Sequence, residues 1–267
     1  MTHPADTVQA PFRAGPPVRS LADVQRIEAA MPLEQAMPVR STYELFRNSA
    51  AAFGDKTALT FIRSVEEADR PLRWSYRQLF EGIHQTANLL HSLGLQPQQA
   101  VSVLLPACPE YHLALWGGEA AGIVQPLNPL LNDDKLAALM NAAGSRVLIA
   151  WGADAEAGYW QKAMRLRERV PTLQAVLRVL PHDAPPAVEG PLPEGVLDFG
   201  QARAAQPADR LVSGRVIQPE DIAAYFHTGG TTGDPKLARH SHRAQVFTAW
   251  ASVQVQGLTD RDIAING

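Results

Sequence analysis

Residues 227–236 read HTGGTTGDPK and follow directly on the apolar run DIAAYF at 221–226. Three glycines, three threonines and a terminal Pro-Lys are gathered in ten residues. The apolar run has the length and composition of a buried strand. Gly229, Gly230 and Gly233 admit backbone angles that other residues resist. Successive bare N–H groups in such a segment can point into one concavity and hold an anion. Thr228, Thr231 and Thr232 add hydroxyl donors, Pro235 restricts the exit, and Lys236 brings a positive charge. In open α/β sheets, ligands bind beyond the carboxyl ends of the strands, where a loop after a strand lies. The Walker-type phosphate loop requires Lys immediately after the last glycine. Here Asp234 and Pro235 intervene, so that reading fails.

Working outward, short apolar runs alternate with amphipathic ones. STYELFRNSAAAF (41–53) reads as a helix and TALTFI (57–62) as a strand. In WSYRQLFEGIHQTANLLHSLG (74–94), Ser75 and Gln78 form a capping-box pair, and Leu79, Ile83, Ala87 and Leu90 recur at helical spacing before Gly94. AVSVLLP is a strand, PEYHLALWGGEAAG a helix with Pro109 in its first turn, and IVQPL a strand. NDDKLAALMNAAG is a helix capped at Asn132 or Asp133 and stopped at Gly144. RVLIA is a strand, EAGYWQKAMRLRERV a helix and QAVLRVL a strand. Residues 181–195 hold five prolines and read as a loop. SHRAQVFTAWASVQVQG is a helix capped by Ser241 and stopped by Gly257, so the glycine-threonine loop is expected between a strand and a helix. This alternation predicts an α/β fold, a parallel sheet with helices on both faces.

The totals narrow the function. With 267 residues, 46% of them apolar, the chain can bury a large core. A formal net charge of −3 gives no footprint for nucleic acid or an anionic membrane surface. The longest apolar stretch, LALWGGEAAGIVQPL, is broken by Glu119, Gln125 and Pro126, so no membrane span is expected. A single cysteine, Cys108, forbids an intramolecular disulfide and fits a reducing, cytoplasmic setting. Prolines at 4, 11, 16 and 17 suggest an extended leader over 1–40.

The segment Thr228–Lys236 resembles, position by position, the phosphate-loop pattern T-[SG]-G-[ST]-T-G-x-P-K of the adenylate-forming (AMP-binding) superfamily. RWSYRQL, the passage GLQPQQAVSVLLPACPEYHLALWGGEAAGIVQPLNPLL and LAALMNAAGSRVLIA are similar to earlier stretches of that family. The likeness covers about 41–267 and is nearest in wording to bacterial acyl-CoA synthetases. Gly229 stands where many relatives carry serine, and Leu237-Ala238 where Gly-Val is commoner.

The resemblance implies the layered, parallel-sheet-rich N-terminal part of the acyl-CoA synthetase fold, a partial AMP-binding domain over 41–267. It implies an enzyme that activates a carboxylic acid, a fatty acid by the wording of the loop, with ATP and Mg2+ to an acyl-adenylate and then transfers the acyl group to CoA. Thr228, Gly229, Gly230, Thr231, Thr232, Gly233 and Lys236 would hold the β- and γ-phosphates. The family's acid and adenine pockets, magnesium-binding glutamate, ribose aspartate and C-terminal lid are expected beyond residue 267. The chain is therefore expected to be an N-terminal fragment, with no catalytic residue and no turnover of its own, and an exposed sheet edge open to self-association. A peptide-synthetase adenylation domain, an aryl-acid ligase and a non-catalytic phosphate-binding module remain alternatives.

His227, His240 and His242 lack a carboxylate or cysteine at ligand spacing, so no metal site is assigned. His240 and His242 are read as lining the loop exit or capping the next helix. Cys108 has no base beside it and reads as a small buried side chain. Trp116, Trp151 and Trp160 read as core, and Asp133-Asp134 as helix-start acids.

Overall fold

The computed structural model describes residues 19–153, 158–182, 191–228 and 236–265. In chain order it forms α1 (Leu21–Ala30), α2 (Leu33–Ala36), α3 (Thr42–Phe53), β1 (Thr57–Phe61), β2 (Leu72–Ser75), α4 (Tyr76–Ser92), β3 (Ala100–Leu104), α5 (Pro109–Ala121) and β4 (Ile123–Pro126). There follow α6 (Asp133–Ala143), β5 (Ser145–Trp151), α7 (Tyr159–Arg169), β6 (Ala175–Val179), β7 (Val196–Asp198), α8 (Phe199–Ala204), β8 (Ile222–Thr228), β9 (Lys236–Ser241) and α9 (His242–Gln256). Among the described residues no helix is long and apolar enough to cross a membrane.

Local chemistry sets the helix ends. Ser75 accepts from the Gln78 amide while the Gln78 side chain accepts from the Ser75 amide, closing the capping box of α4. Asn132 accepts from Lys135 N at the start of α6, and Gly144 ends it at φ 63°, a left-handed angle suited to glycine. Ser241 accepts from Ala244 N to start α9. Each such cap contributes about 1 kcal/mol.

The main sheet has the order β7-β6-β5-β3-β4-β8-β9. Its pairs are parallel except β8–β9, which is antiparallel. All five residues of β3 are buried, because helices cover both faces. Val101 and Val103, with Val147 and Ile149 of β5, pack towards α4 and α5, while Leu104, Leu148 and Ala150 pack towards α6 and α7. That division is the two-residue alternation of a strand. Ser102, mid-strand, lies 2.6 Å from Ser145 Oγ and donates to Gln125 Oε1 at 2.7 Å, and Gln125 Nε2 donates to Leu139 O at 3.0 Å. The buried hydroxyls are thereby satisfied inside an apolar layer.

Helix α4 buries polar side chains as well as apolar ones. Asn88 Nδ2 donates to Pro207 O and Arg210 O, both at 2.9 Å, and Asn88 Oδ1 accepts from Val212 N at 2.9 Å. One amide thus fixes the irregular segment that leads to β8. The carboxyl end of α5 is closed from outside the helix. Arg215 Nη1 donates to Glu119 O at 3.3 Å and Ala120 O at 3.1 Å, and His91 Nε2 lies 3.1 Å from Ala121 O. These are carbonyls that a helix end leaves without intrahelical partners.

Two expectations change, and two elements appear where none was assigned. The leader expected to be extended contains α1, whose Ser20 side chain accepts from Asp23 N, and α2. Local capping starts α1, and the prolines behind that expectation lie outside the described residues. β1 does not join the parallel sheet but pairs antiparallel with β2 as a separate two-stranded sheet. β7 and α8 arise within a region lacking a clear period, where docking on β6 and α4 supplies the missing stabilisation.

Close helix packing offers a test. A Cβ added at Gly117 of α5 would lie 2.5 Å from Thr86 Cβ and 3.2 Å from Ile83 O on α4. Alanine gains about 1 kcal/mol in helix propensity. Overpacking at such a contact costs about 1–3 kcal/mol. Gly117→Ala is expected to lower the urea midpoint with an unchanged slope, a net loss despite the better helix former.

Candidate functional site

β8 enters the sheet beside β4, with Val124 opposite Ala224, and its Ala223 and Ala224 are fully buried. It ends at Thr228, on the carboxyl edge of the sheet. β9 returns along it with Thr228 opposite Lys236, His227 opposite Leu237 and Phe226 opposite Ala238. Thr228 Oγ1 donates to Lys236 O at 3.5 Å, the long limit of a hydrogen bond. The two ends of the glycine-threonine segment are therefore held side by side at the carboxyl edge. Of the expected site residues, Thr228 and Lys236 are brought together here. Gly229, Gly230, Thr231, Thr232 and Gly233 lie outside the described residues.

The segment does not run from a strand straight into a helix. β9 intervenes, and only after Ser241 does α9 begin. KLARHS is short and mixed in polarity, so its strand character comes from pairing with β8 rather than from its own pattern.

The histidines separate. His240 packs edge-on against Phe226, with ring centroids 5.0 Å apart. His242 turns into the interior rather than lining the loop exit or capping the helix, a role Ser241 fills. Its Nδ1 lies 2.9 Å from Thr42 Oγ1 and accepts from Thr42 N at 3.4 Å. Thr42 Oγ1 lies 2.7 Å from Glu119 Oε2, and Gln245 Nε2 donates to Glu119 Oε1 at 2.9 Å. Glu119 and His242 are fully buried. Burial pushes the Glu119 carboxyl up to about 7, against the hydrogen bonds from Thr42 and Gln245. Burial, then the nearby Arg215 charge, pushes the His242 imidazole down to about 4. This polar cluster joins α3, α5 and α9 and was not assigned from the sequence. The signal available there was Glu119 itself, an acid in the otherwise apolar run LALWGGEAAG.

A cavity of about 610 Å3 opens between the end of α4 and the segment before β8, lined in part by Asn88, Leu95, Pro97 and Val212. Those segments precede β3 and β8, so it lies towards the amino edge of the sheet, away from the carboxyl end of β8. Asp133 and Asp134 open α6 and pair with Arg165 Nε, at 2.6 Å, and with Arg169, holding α7 against α6.

A family model described as AMP-binding enzyme matches residues 46–266, most of the chain, and includes β8, the loop and β9. The chain belongs to the AMP-binding enzyme family. Among curated members, it is 27% identical over 246 residues to a marinolic acid–CoA ligase of Pseudoalteromonas sp., covering 92% of this chain and 36% of that protein. It is 29% identical over 221 residues to a crotonobetaine/carnitine–CoA ligase of Salmonella typhimurium, covering 82% of this chain and 40% of that protein. The chain thus spans about two fifths of the length of these relatives. Among solved structures, an anthranilate CoA ligase bound to anthranoyl-AMP superposes with a TM-score of 0.61 at 24% identity, over 76% of this chain and 35% of that one. A structure described as a putative long-chain-fatty-acid CoA ligase, from Rhodopseudomonas palustris, superposes at 0.66 and 18% identity, over 83% of this chain and 49% of that one. The fold is that of the N-terminal domain of acyl-CoA synthetases.

In this member of the AMP-binding enzymes, Cys108 sits at the N-cap of α5 and is buried. Burial, and secondarily the neighbouring Glu110 charge, pushes its thiol up to about 12. The thiolate is the reactive form. Iodoacetamide at pH 8 is therefore expected to leave native protein unlabelled by mass spectrometry and to label it stoichiometrically once urea unfolds it.

Proposed function

We propose that the protein is an ATP-dependent acid–CoA ligase, and that this chain contributes its phosphate-binding strand and loop. The observation that carries the reading is the pairing of Thr228 with Lys236 at the carboxyl edge of the sheet, inside the region matched by the family. An ammonium group is thereby set at the root of a segment rich in glycine and threonine. Such a segment suits the terminal phosphates of ATP, with Thr228, Thr231 and Thr232 donating hydroxyls, Gly229, Gly230 and Gly233 amides, and Lys236 charge.

In the proposed reaction a carboxylate oxygen attacks the α-phosphorus of ATP and pyrophosphate leaves. The CoA thiol then attacks the acyl carbonyl and AMP departs. Mg2+ bound with ATP would neutralise phosphate charge. The curated relatives take chemically diverse acids, so the supported class is an organic carboxylic acid. A fatty acid is the first substrate to test, from the wording FHTGGTTGDPKLARHSH. The proposed setting is the cytoplasm, with which one buried free thiol agrees. The role assigned to these 267 residues is phosphate binding, and turnover by them alone is not expected.

Pyrophosphate and MgATP titrations by calorimetry test the reading. Lys236 is exposed on an edge strand, so Lys236→Ala is expected to keep the circular dichroism of the parent. A hydrogen bond to a charged group is worth about 1.5–3 kcal/mol, and each 1.4 kcal/mol is tenfold. Pyrophosphate is expected to bind the variant about 10- to 100-fold more weakly. Equal affinities for the two proteins would remove the proposal.

We also propose self-association along β9, an edge strand flanked by the exposed Phe226 and Phe247. Sedimentation velocity is expected to give a weight-average mass that rises with concentration. A concentration-independent monomer would exclude it.

A further inference from the structure

The cluster behind β9 has a hydrogen-bond polarity that its atoms themselves constrain. In the tautomer with the ring proton on Nε2, a buried atom without a hydrogen-bond partner among the described residues, His242 Nδ1 accepts the Thr42 amide at 3.4 Å. The Thr42 hydroxyl has one proton and two close acceptors, Nδ1 at 2.9 Å and Glu119 Oε2 at 2.7 Å. If that proton serves an ionised Glu119, the 2.9 Å contact to Nδ1 brings two acceptors face to face. If Glu119 carries a proton on Oε2, each short contact has one donor: the carboxylic acid donates to Thr42 Oγ1, and Thr42 donates to Nδ1. Gln245 Nε2 donates to the remaining oxygen, Oε1.

The surrounding charges agree with a neutral acid. α9 offers His242 and Gln245, and α3 offers Thr42. The guanidinium of Arg215 faces the backbone of α5, donating to Glu119 O and Ala120 O, with its Nη2 3.6 Å from Asp221 Oδ2. Asp221 O accepts the His242 amide at 3.1 Å. His91 of α4 is engaged at Ala121 O. No cation is hydrogen-bonded or ion-paired to the Glu119 carboxyl among the described contacts.

We propose that Glu119 is a positioning residue held as a carboxylic acid, whose proton fixes the start of α9 and with it the end of β9, the strand that carries Lys236. Ionisation turns the carboxyl into a pure acceptor, breaks the donor chain to His242 and loosens α9 at its first turn. The proposal concerns the arm itself and does not depend on what the loop binds. If the ligase reading holds, it adds a pH-dependence to phosphate binding.

The two titrating groups act in opposite directions. Glu119 releases its proton at about 7 in the fold against an ordinary 4.5, so the folded form retains the extra proton across that window and stability falls as pH rises through it. His242 takes up its proton at about 4 in the fold against an ordinary 6.5, so stability rises with pH over that range. Comparing wild type with Glu119→Gln cancels the histidine contribution.

Hydrogen exchange read by mass spectrometry, expressed as protection factors for the first turns of α9, provides the test. The ratio of protection in Glu119→Gln to that in wild type is expected to grow about tenfold between pH 6 and pH 8. Infrared spectra of the wild type are expected to show a carboxylic C=O stretch at pH 6 that fades through neutrality and is absent from the variant. Should Glu119→Gln fail to fold, Thr42→Val is expected to shift that stretch and Thr42→Ser to restore it. A protection ratio that does not change with pH, or a stretch indifferent to both Thr42 variants, would overturn the proposal. Pyrophosphate binding serves as a separate readout. Its absence together with a pH-dependent ratio would sink the phosphate-binding role given to this chain and leave the role of Glu119 standing.

Discussion

A strand covered on both faces has no side to give to water, and β3 is under that constraint. Everything it presents must be apolar or already bonded. Val101 and Val103 go to α4 and α5, Leu104 to α6 and α7, and Ser102 is accepted because Ser145 and Gln125 answer its hydroxyl. β4 and β5 are pinned to it in parallel on either side. β8 then has one place to join, beyond β4, and its carboxyl end is set by that placement. Thr228 and Lys236 meet where they do because the centre of the sheet admits so few arrangements.

The site region is built differently from that centre. β8 has buried alanines in the middle and half-exposed residues towards its end. β9 has a neighbour on one side, and α9 buries His242 and Val246. Few apolar contacts hold this arm, so polar ones carry more of the work. The chain Gln245–Glu119–Thr42–His242 ties α9 to two helices that belong to the rigid part. A hydrogen-bond network in low dielectric is strong when every donor finds an acceptor and weak when one does not. That property is what makes one proton at Glu119 bear on the start of α9.

Much of the architecture was legible in local pattern. The capping box at Ser75, the stop at Gly144 and the caps at Asn132 and Ser241 are short-range chemistry, and each stands as read. The apolar runs of β3, β5 and β6 announced strands closed on both faces. Two of the misreadings share a cause, pairing with a neighbouring strand. KLARHS became a strand because β8 offered it an edge, and TALTF left the parallel sheet because LRWS pairs with it antiparallel. At the candidate site, spacing proposes Thr228 and Lys236, and the register supplies what spacing lacks, their proximity. Glu119 was visible as an acid breaking an apolar run, but its partners come from residues 42, 242 and 245, which no local window joins.

The outside closure of α5 has a consequence in time. Arg215, which meets the carbonyls of Glu119 and Ala120, lies 96 and 95 positions further along the chain. A ribosome that has just finished α5 has made the helix but not its stopper. Until the arginine emerges, those carbonyls have to be answered by water, and the bottom of the sheet stays wet. The helix in the middle of the core is therefore among the first parts to be shaped and among the last to be sealed.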